Sequence, residues 1–326
     1  MKPPLVLKSG KSKDQVPSSG DGVVPAFDCV GIGVCAVDHV SLLARYPRAD
    51  EKTEALAYVI QGGGPVPTAL ATAARFGARC AFVGKVACDE EGDFVLSQLA
   101  QHGVDTSMVV RVKRRFTPRA MILVDGRTGQ RTVVLNRPAN FALTPREVSR
   151  AYVLQGRILH LDGRESNVAL AAARWARQAG RTVVCDLGSV RANTEALLPF
   201  VDYAVVSRTF VHQFLGGRNL ANAARSLLRF GPRVAVVTAG EHGCWCATHD
   251  EIIHQPAFKV KVVDTTGAGD VFHGAFLFGV LQGWELPRLL RWASATAALS
   301  CTRLGAQAAL PSFAQVRRFL AARHGR

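Results

Sequence analysis

The stretch Asp264-Thr265-Thr266-Gly267-Ala268-Gly269-Asp270, running on into Val271-Phe272-His273-Gly274-Ala275-Phe276, sets a glycine turn, a carboxylate and a helix start side by side. Gly267 and Gly269 leave the backbone nearly bare, so the amides of Gly267, Ala268 and Gly269 can approach a charged group closely. The apolar run Val271 to Leu281 reads as the buried helix that follows. Amides at a helix start point outward with the positive end of the helix dipole, which suits a phosphoryl group whose charge must be stabilised during transfer. An aspartate at such a hole repels phosphate unless it has another task, and the chemical task is to accept the proton of an attacking hydroxyl. Asp270 is therefore the candidate catalytic base. The plainer alternative is a helix cap, which aspartates often supply.

The 326 residues, 48% of them hydrophobic, suffice for one large α/β domain with a substantial core or for two small ones. Apolar runs at Cys29 to Val37, Cys80 to Val86, Ile158 to Leu161, Thr182 to Asp186, Tyr203 to Val206 and Val234 to Thr238 read as buried strands. Helical stretches lie between them at Thr68 to Phe76, Glu90 to His102, Ser166 to Ala179, Leu220 to Phe230 and Pro287 to Cys301. This alternation predicts a doubly wound, mostly parallel sheet that binds ligands at the carboxyl ends of its strands. Residues 1–26 are rich in Lys, Ser, Gly and Pro and read as a disordered basic arm. No secretory signal or membrane-spanning run stands out, so a soluble, cytoplasmic protein without a membrane partner is expected.

The formal charge of +15 raises the possibility of nucleic acid. Binders of that kind gather charge in a patch with stacking aromatics, whereas here the arginines are dispersed, Arg45, Arg75, Arg150, Arg174, Arg218 and Arg291 among them. A generally basic surface with an anionic small substrate is the better reading. The eight cysteines and nine histidines show no metal-ligand spacing, and the thiols read as small packed apolar groups.

Two further positions follow from the residues themselves. Gly33-Val34-Cys35-Ala36-Val37-Asp38 places the Asp38 carboxylate just beyond the first strand, where it can accept hydrogen bonds from vicinal hydroxyls. Leu161-Asp162-Gly163-Arg164 puts the Arg164 guanidinium at a strand's carboxyl end, suited to a carboxylate, phosphate or sulfonate, a surface arginine being the alternative. Alternation at Thr53 to Ile60, Arg119 to Val124 and Arg131 to Leu135 suggests extended segments, the last two joined by a turn at Asp125 to Gly129.

Through Asp264, Thr265, Gly267, Ala268, Gly269, Asp270, Gly274 and Ala275 the opening segment resembles the second signature of the ribokinase-like (PfkB) sugar kinases, and the resemblance runs from about Phe27 to Pro311. The P-loop signature is absent. The resemblance implies a three-layer α/β/α domain at 27–313 with a small β-sheet lid within about 45–61 and 110–137, and a C-terminal helix over 314–326. It implies ATP with Mg2+ as phosphoryl donor, Asp38 with Gly62 and Gly63 as sugar contacts, and pairing of two subunits through the lid. Thr238, Gly240 and Gly243 match the element that contacts ATP phosphates, and Gly305 lies in the loop matching the one near adenine. Asp264 and Thr266 match positions near a potassium site, with turn stabilisation as the other reading of Asp264.

The chain also departs from that pattern. Pro67 stands where most members carry a sugar-binding asparagine, and Ser207-Arg208-Thr209-Phe210 stands where an Asn-x2-Glu motif organises the water around magnesium. An Asp-x-Asn-x-Arg run appears only in degraded form, as Asp186-Leu187-Gly188-Ser189-Val190-Arg191. Gly62-Gly63-Gly64-Pro65, Asp162-Gly163-Arg164 and His254 to Val260 resemble the ketohexokinase and sulfofructose kinase branch, which implies a ketose or anionic keto-sugar. Adenosine, fructose and deoxy-ketogluconate kinases are alternatives within the class. A non-catalytic sugar- or nucleotide-binding relative and a nucleic-acid-associated protein are alternatives outside it.

Overall fold

The computed structural model describes residues 25–323. The basic arm therefore lies outside the described residues except for Pro25 and Ala26. The nine-stranded main sheet has the order β15-β14-β13-β12-β11-β10-β1-β4-β6. Its strands are β1 (Phe27–Ile32), β4 (Cys80–Val83), β6 (Val104–Asp105), β10 (Gly156–Leu161), β11 (Thr182–Leu187), β12 (Tyr203–Ser207), β13 (Val234–Thr238), β14 (Cys244–Ala247) and β15 (Ile252–Gln255). From β6 to β13 every pairing is parallel, and β14 and β15 add an antiparallel edge. Continuous runs such as Val183-Val184-Cys185 and Ala235-Val236-Val237 are buried because helices cover both faces of the sheet.

Those helices make two separate cores. On one face Val66, Leu70, Phe76, Phe272, Phe276 and Trp292 pack together. On the other, Val168, Ala172, Leu197, Phe210, Val211 and Leu227 do so.

The lid is a second sheet of order β3-β2-β8-β9, built from β2 (Ala36–Leu43), β3 (Ala55–Gly63), β8 (Arg119–Asp125) and β9 (Arg131–Asn136). Two strand boundaries differ from the sequence reading. The run Cys29 to Val37 is not one strand: the chain leaves the main sheet after Ile32 and enters the lid at Ala36. The crossing is made at Gly33, where a Cβ would run into the Asp162 carboxylate and Val66. Asp38 accordingly sits inside a lid strand rather than after the first strand of the main sheet, and the lid extends to residues 36–43 as well as the expected segments. Likewise Cys80 to Val86 divides at Gly84, and β5 (Lys85–Ala87) pairs with β7 (Val110–Val112) in a small sheet of its own.

The helix expected from Thr68 begins at Pro65. Pro65 and Pro67 fall in its first turn, where a missing N–H leaves no intrahelical bond unmade. The C-terminal helix spans Phe313–Ala321, opened by a capping box between Ser312 and Gln315; of the 314–326 segment expected to be helical, residues 324–326 lie outside the described residues.

The helix Ala268–Leu281 is buried from Val271 through Gly279, so it is apolar on every side. It crosses the helix Pro65–Arg75 at Gly274, where a Cβ would overlap the Ala69 carbonyl oxygen and crowd Thr72. Gly274→Ala is expected to lower unfolding free energy by about 1–3 kcal/mol, the usual cost of overpacking. Denaturant unfolding checks this, and an unchanged midpoint would mean that the two helices can part without penalty.

Candidate active site

The turn at 263–270 is fixed by one carboxylate. Asp264 is buried; its Oδ1 accepts the amide (2.7 Å) and hydroxyl (2.6 Å) of Thr266, and its Oδ2 accepts the amide of Gly305 (2.8 Å). Gly267 takes φ 69° as the residue before the helix, and no side chain caps the turn. The Ala268 amide turns back toward the Thr265 carbonyl at 3.3 Å. Around Gly269 a Cβ would meet nothing within 4 Å, so the helix start opens onto free space. This is the geometry of an anion hole. Thr265 donates from both its amide (3.0 Å) and hydroxyl (2.9 Å) to the carbonyl of Gly129, in the lid hairpin. Lid and catalytic turn are thus joined.

Asp270 lies half-buried in the first turn of this helix. Burial pushes its carboxyl up to about 7, the nearby negative charge of Asp186 pushes the same way, and His273, Arg131 and Arg164 oppose. Asp38 is buried in the lid, and burial, followed by the Asp270 charge, raises it to about 7 as well. Its carboxylate lies against Gly63, where any side chain would collide with it. Gly62 faces the buried Gln307 amide, and Gln61 reaches from the lid to accept the amide of Ala308 at 3.0 Å. Arg164 is exposed, and its amide donates to Asp162 Oδ1 at 2.9 Å. Asp162 Oδ2 takes the Val34 amide at 3.2 Å, and burial raises this carboxyl too to about 7.

Sequence reasoning did not single out four charged or titratable side chains of this cluster: Asp162, Asp186, His273 and Arg131. Asp162 directly follows β10, and an acid at the carboxyl end of an apolar strand is the signal that was read at Asp38. His273 stands three residues after Asp270 and so on the same helix face, which was readable. Arg131 opens β9 opposite Val124, and only the sheet register brings it toward Asp270.

On the other side of the turn, Thr238 ends β13 and its hydroxyl donates to the Val206 carbonyl at 3.2 Å. Gly240 and Gly243 take positive φ (57° and 81°) in the tight turn that follows, and open space surrounds Gly240. Gly305, at φ 90°, is tied to Asp264 and would clash with Gln61 if it bore a side chain. Ser207 caps the helix Arg208–Leu215, accepting the Phe210 amide at 3.0 Å, while Phe210 is fully buried in the core. Phe210 has no polar atom with which to order water around a metal, and the Ser207 hydroxyl also donates to the Gly188 carbonyl at 2.8 Å. Among the described residues no group of three or more His, Cys, Asp or Glu side chains could hold a metal ion. That donor set suits Mg2+ carried by phosphate oxygens and water rather than caged by protein.

A doubly wound sheet, an uncapped glycine turn and an acid at its mouth define a phosphotransferase acting on an alcohol group. Residues 27–312 match the pfkB family carbohydrate kinases, and the chain belongs to that family: it is a sugar kinase. It is similar to the 5-dehydro-2-deoxygluconokinase of Shouchella clausii (strain KSM-K16), 26% identical over 320 residues, covering 91% of this chain and 97% of that one. The crystal structure of a putative ribokinase from Agrobacterium tumefaciens superposes with a TM-score of 0.86 at 25% identity, covering 92% and 99% of the two chains. The Arabidopsis thaliana ribokinase complexed with ribose and ATP shares the fold, with a TM-score of 0.78 at 24% identity over 90% and 99%.

With Asp270 in the role of base expected from the sequence, the sign of the pH dependence follows. A base must be unprotonated, and a carboxyl held up to about 7 is mostly protonated below that pH, so kcat/KM should rise through an acid limb centred near pH 7. A rate profile flat from pH 5.5 to 8.5 would contradict this.

Proposed function

We propose that the chain transfers the γ-phosphate of Mg-ATP to a hydroxyl of a ketose or an anionic keto-sugar. The observation that carries this reading is the pairing of an uncapped glycine turn with Asp270, facing Asp38 across the seam between main sheet and lid. Asp38, with Gly62 and Gly63 leaving room beside it, holds the sugar hydroxyls. Asp270 accepts the hydroxyl proton as the oxygen bonds to the γ-phosphorus and the bond to the bridging oxygen breaks, releasing ADP. The amides of Gly267 and Gly269 stabilise the charge on the transferred group, with Ala268 between them. The tight turn Thr238 to Gly243 and the loop at Gly305 flank the nucleotide. Mg2+ neutralises phosphate charge when bound. Closing the lid keeps water from competing with the sugar.

Arg164 selects the substrate in this reading, since its guanidinium stands exposed beside Asp162 and close enough to Asp270 to favour the ionised base. A monovalent cation near Asp264 and Thr266 would share these side chains with the hydrogen bonds they make to each other and to Gly305, which leave lone pairs on the Thr266 hydroxyl and on Asp264 Oδ2.

The lid supports pairing of two copies. Its register places Ile60, Met121 and Val134 in one row on the face away from Val40, Ile122 and Val124, and Leu56 and Tyr58 lie on the same side of β3. These residues are exposed, Leu56 and Met121 by more than 60%. An apolar face of this kind is usually covered.

Asp270→Asn should lower turnover by roughly two to four orders of magnitude while leaving the fold intact, the range for loss of a general base. ATP-to-ADP turnover against neutral ketoses, aldoses, nucleosides and anionic keto-sugars tests it; unchanged turnover sinks the assignment. In the same panel, Arg164→Ala should abolish preference for the anionic ketose and spare neutral sugars. For the assembly, sedimentation should show a dimer that Tyr58→Glu with Met121→Glu converts to monomer, and a wild-type monomer at micromolar concentration would refute the pairing.

A further inference from the structure

Behind Asp270 lies a buried group with no part in the chemistry described above. His273 is 4% exposed and points from the helix Ala268–Leu281 into the carboxyl end of the main sheet. Its Nδ1 stands 2.6 Å from the Gly269 carbonyl oxygen and 3.4 Å from Asp186 Oδ2 at the end of β11. Its Nε2 stands 3.4 Å from the Val205 carbonyl oxygen on β12. Every atom that faces a ring nitrogen is an acceptor. A neutral imidazole has one N–H and one lone pair, and here the lone pair would point at an oxygen. Only the doubly protonated ring donates at both ends.

The neighbours agree with a charged ring. His160, on β10, lies behind it with ring centroids 6.1 Å apart; its Nδ1 faces the Val184 carbonyl at 3.2 Å and its buried Nε2 has no partner. That ring is kept neutral, its pKa pushed down to about 3 by burial and then by His273. The other charged groups around His273 are Asp186 on β11, Asp270 on its own helix, and Arg164 and Arg131, whose charges act on those carboxylates. Two adjacent carboxylates, one already raised to about 7, cannot both ionise in a poorly hydrated site without a cation near them.

We propose that His273 is a positioning residue for phosphoryl transfer: a buried imidazolium that lets Asp186 and Asp270 be ionised together and pins the first turn of the helix through the Gly269 carbonyl. The proposal rests on Asp270 being the base. It gives Asp186 a task as well, since its carboxylate holds the charged ring from the sheet side while His273 holds the turn.

The test uses the full chain and two readouts. Long-range nitrogen–proton spectra of the imidazole rings at pH 8, with the His273 signals identified by their loss in His273→Asn, should show both ring nitrogens protonated. A single neutral tautomer overturns the proposal. The pH profile of kcat is then compared for wild type, His273→Asn, Asp186→Asn and the double variant, using the best sugar of the panel above. Asparagine can still donate to Gly269, so the fold should survive. Without the positive charge the ionised form of Asp270 is less favoured, and the acid limb should move up by about one pH unit or more, the usual effect of an opposite charge at this range. Removing the Asp186 charge as well should bring the limb back toward wild type, with the high-pH plateau and KM little changed. A limb that stays in place in His273→Asn, or a loss of rate equal at every pH and not rescued in the double variant, overturns the proposal. Asp270→Asn measured alongside separates the two levels: turnover retained there defeats the base assignment, while the ring spectra still decide the charge on His273.

Discussion

A single buried carboxylate organises the site. Asp264 gathers the Thr266 amide and hydroxyl and the Gly305 amide onto its two oxygens, and the segment around it makes contact with three other parts of the chain. The amides of Val263 and Asp264 bond to the Cys301 carbonyl, at the end of the helix Leu286–Ser300. Thr265 bonds to Gly129 in the lid. The next turn carries Asp270, and the turn after it anchors His273 against β11 and β12. The turn, the anion hole of the proposed mechanism, is thus held from outside by Asp264 and not by a side-chain cap that would occupy its amides. Replacing that carboxylate would loosen lid, nucleotide loop and helix start together.

The second constraint is electrostatic. Asp38, Asp162 and Asp270 are each raised to about 7, with burial the largest cause, and burial raises Asp186 as well. Four acids in one poorly hydrated crevice are destabilising when ionised. The arrangement offsets this with cations from different elements: Arg131 from the lid, Arg164 from the end of β10 and His273 from the helix. An acid whose ionised and neutral forms are nearly balanced at neutral pH is also what proton transfer from a sugar hydroxyl demands. The fold thus tolerates a cost that has a use only if protons are moved, which favours catalysis over a purely binding role.

Much of this was legible in the sequence because the decisive signals were local. The glycine turn, the acid and the apolar helix occupy consecutive residues, and the alternation of buried strands with amphipathic helices fixes a doubly wound sheet. What failed was a boundary with no local mark. Cys29 to Val37 is uniformly apolar, yet it feeds two sheets, because both β1 and the first residues of β2 are buried and periodicity does not change between them. The crossing at Gly33 is dictated by Asp162, more than a hundred residues away. Arg131 and the Asp186–His273 contact were hidden for the same reason, since strand register and helix placement are tertiary facts.

The departures from the family pattern acquire a physical meaning in the structure. Phe210, in place of a water-ordering acid, packs on Phe214 in the core with ring centroids 5.2 Å apart, so the β12 turn has gained packing and given up a polar group. Ser207 supplies the helix cap that the turn requires. Pro67 likewise fits the first turn of its helix without strain while offering no side chain to a sugar. Both positions therefore fit the scaffold, and each lacks the polar side chain that the family pattern places there. The glycine turn and Asp270, to which the proposed mechanism gives the chemistry, keep that pattern. In the reading proposed above, a site altered in this selective way keeps the reaction and changes what is recognised, and the exposed Arg164 and Arg131 favour a negatively charged acceptor there.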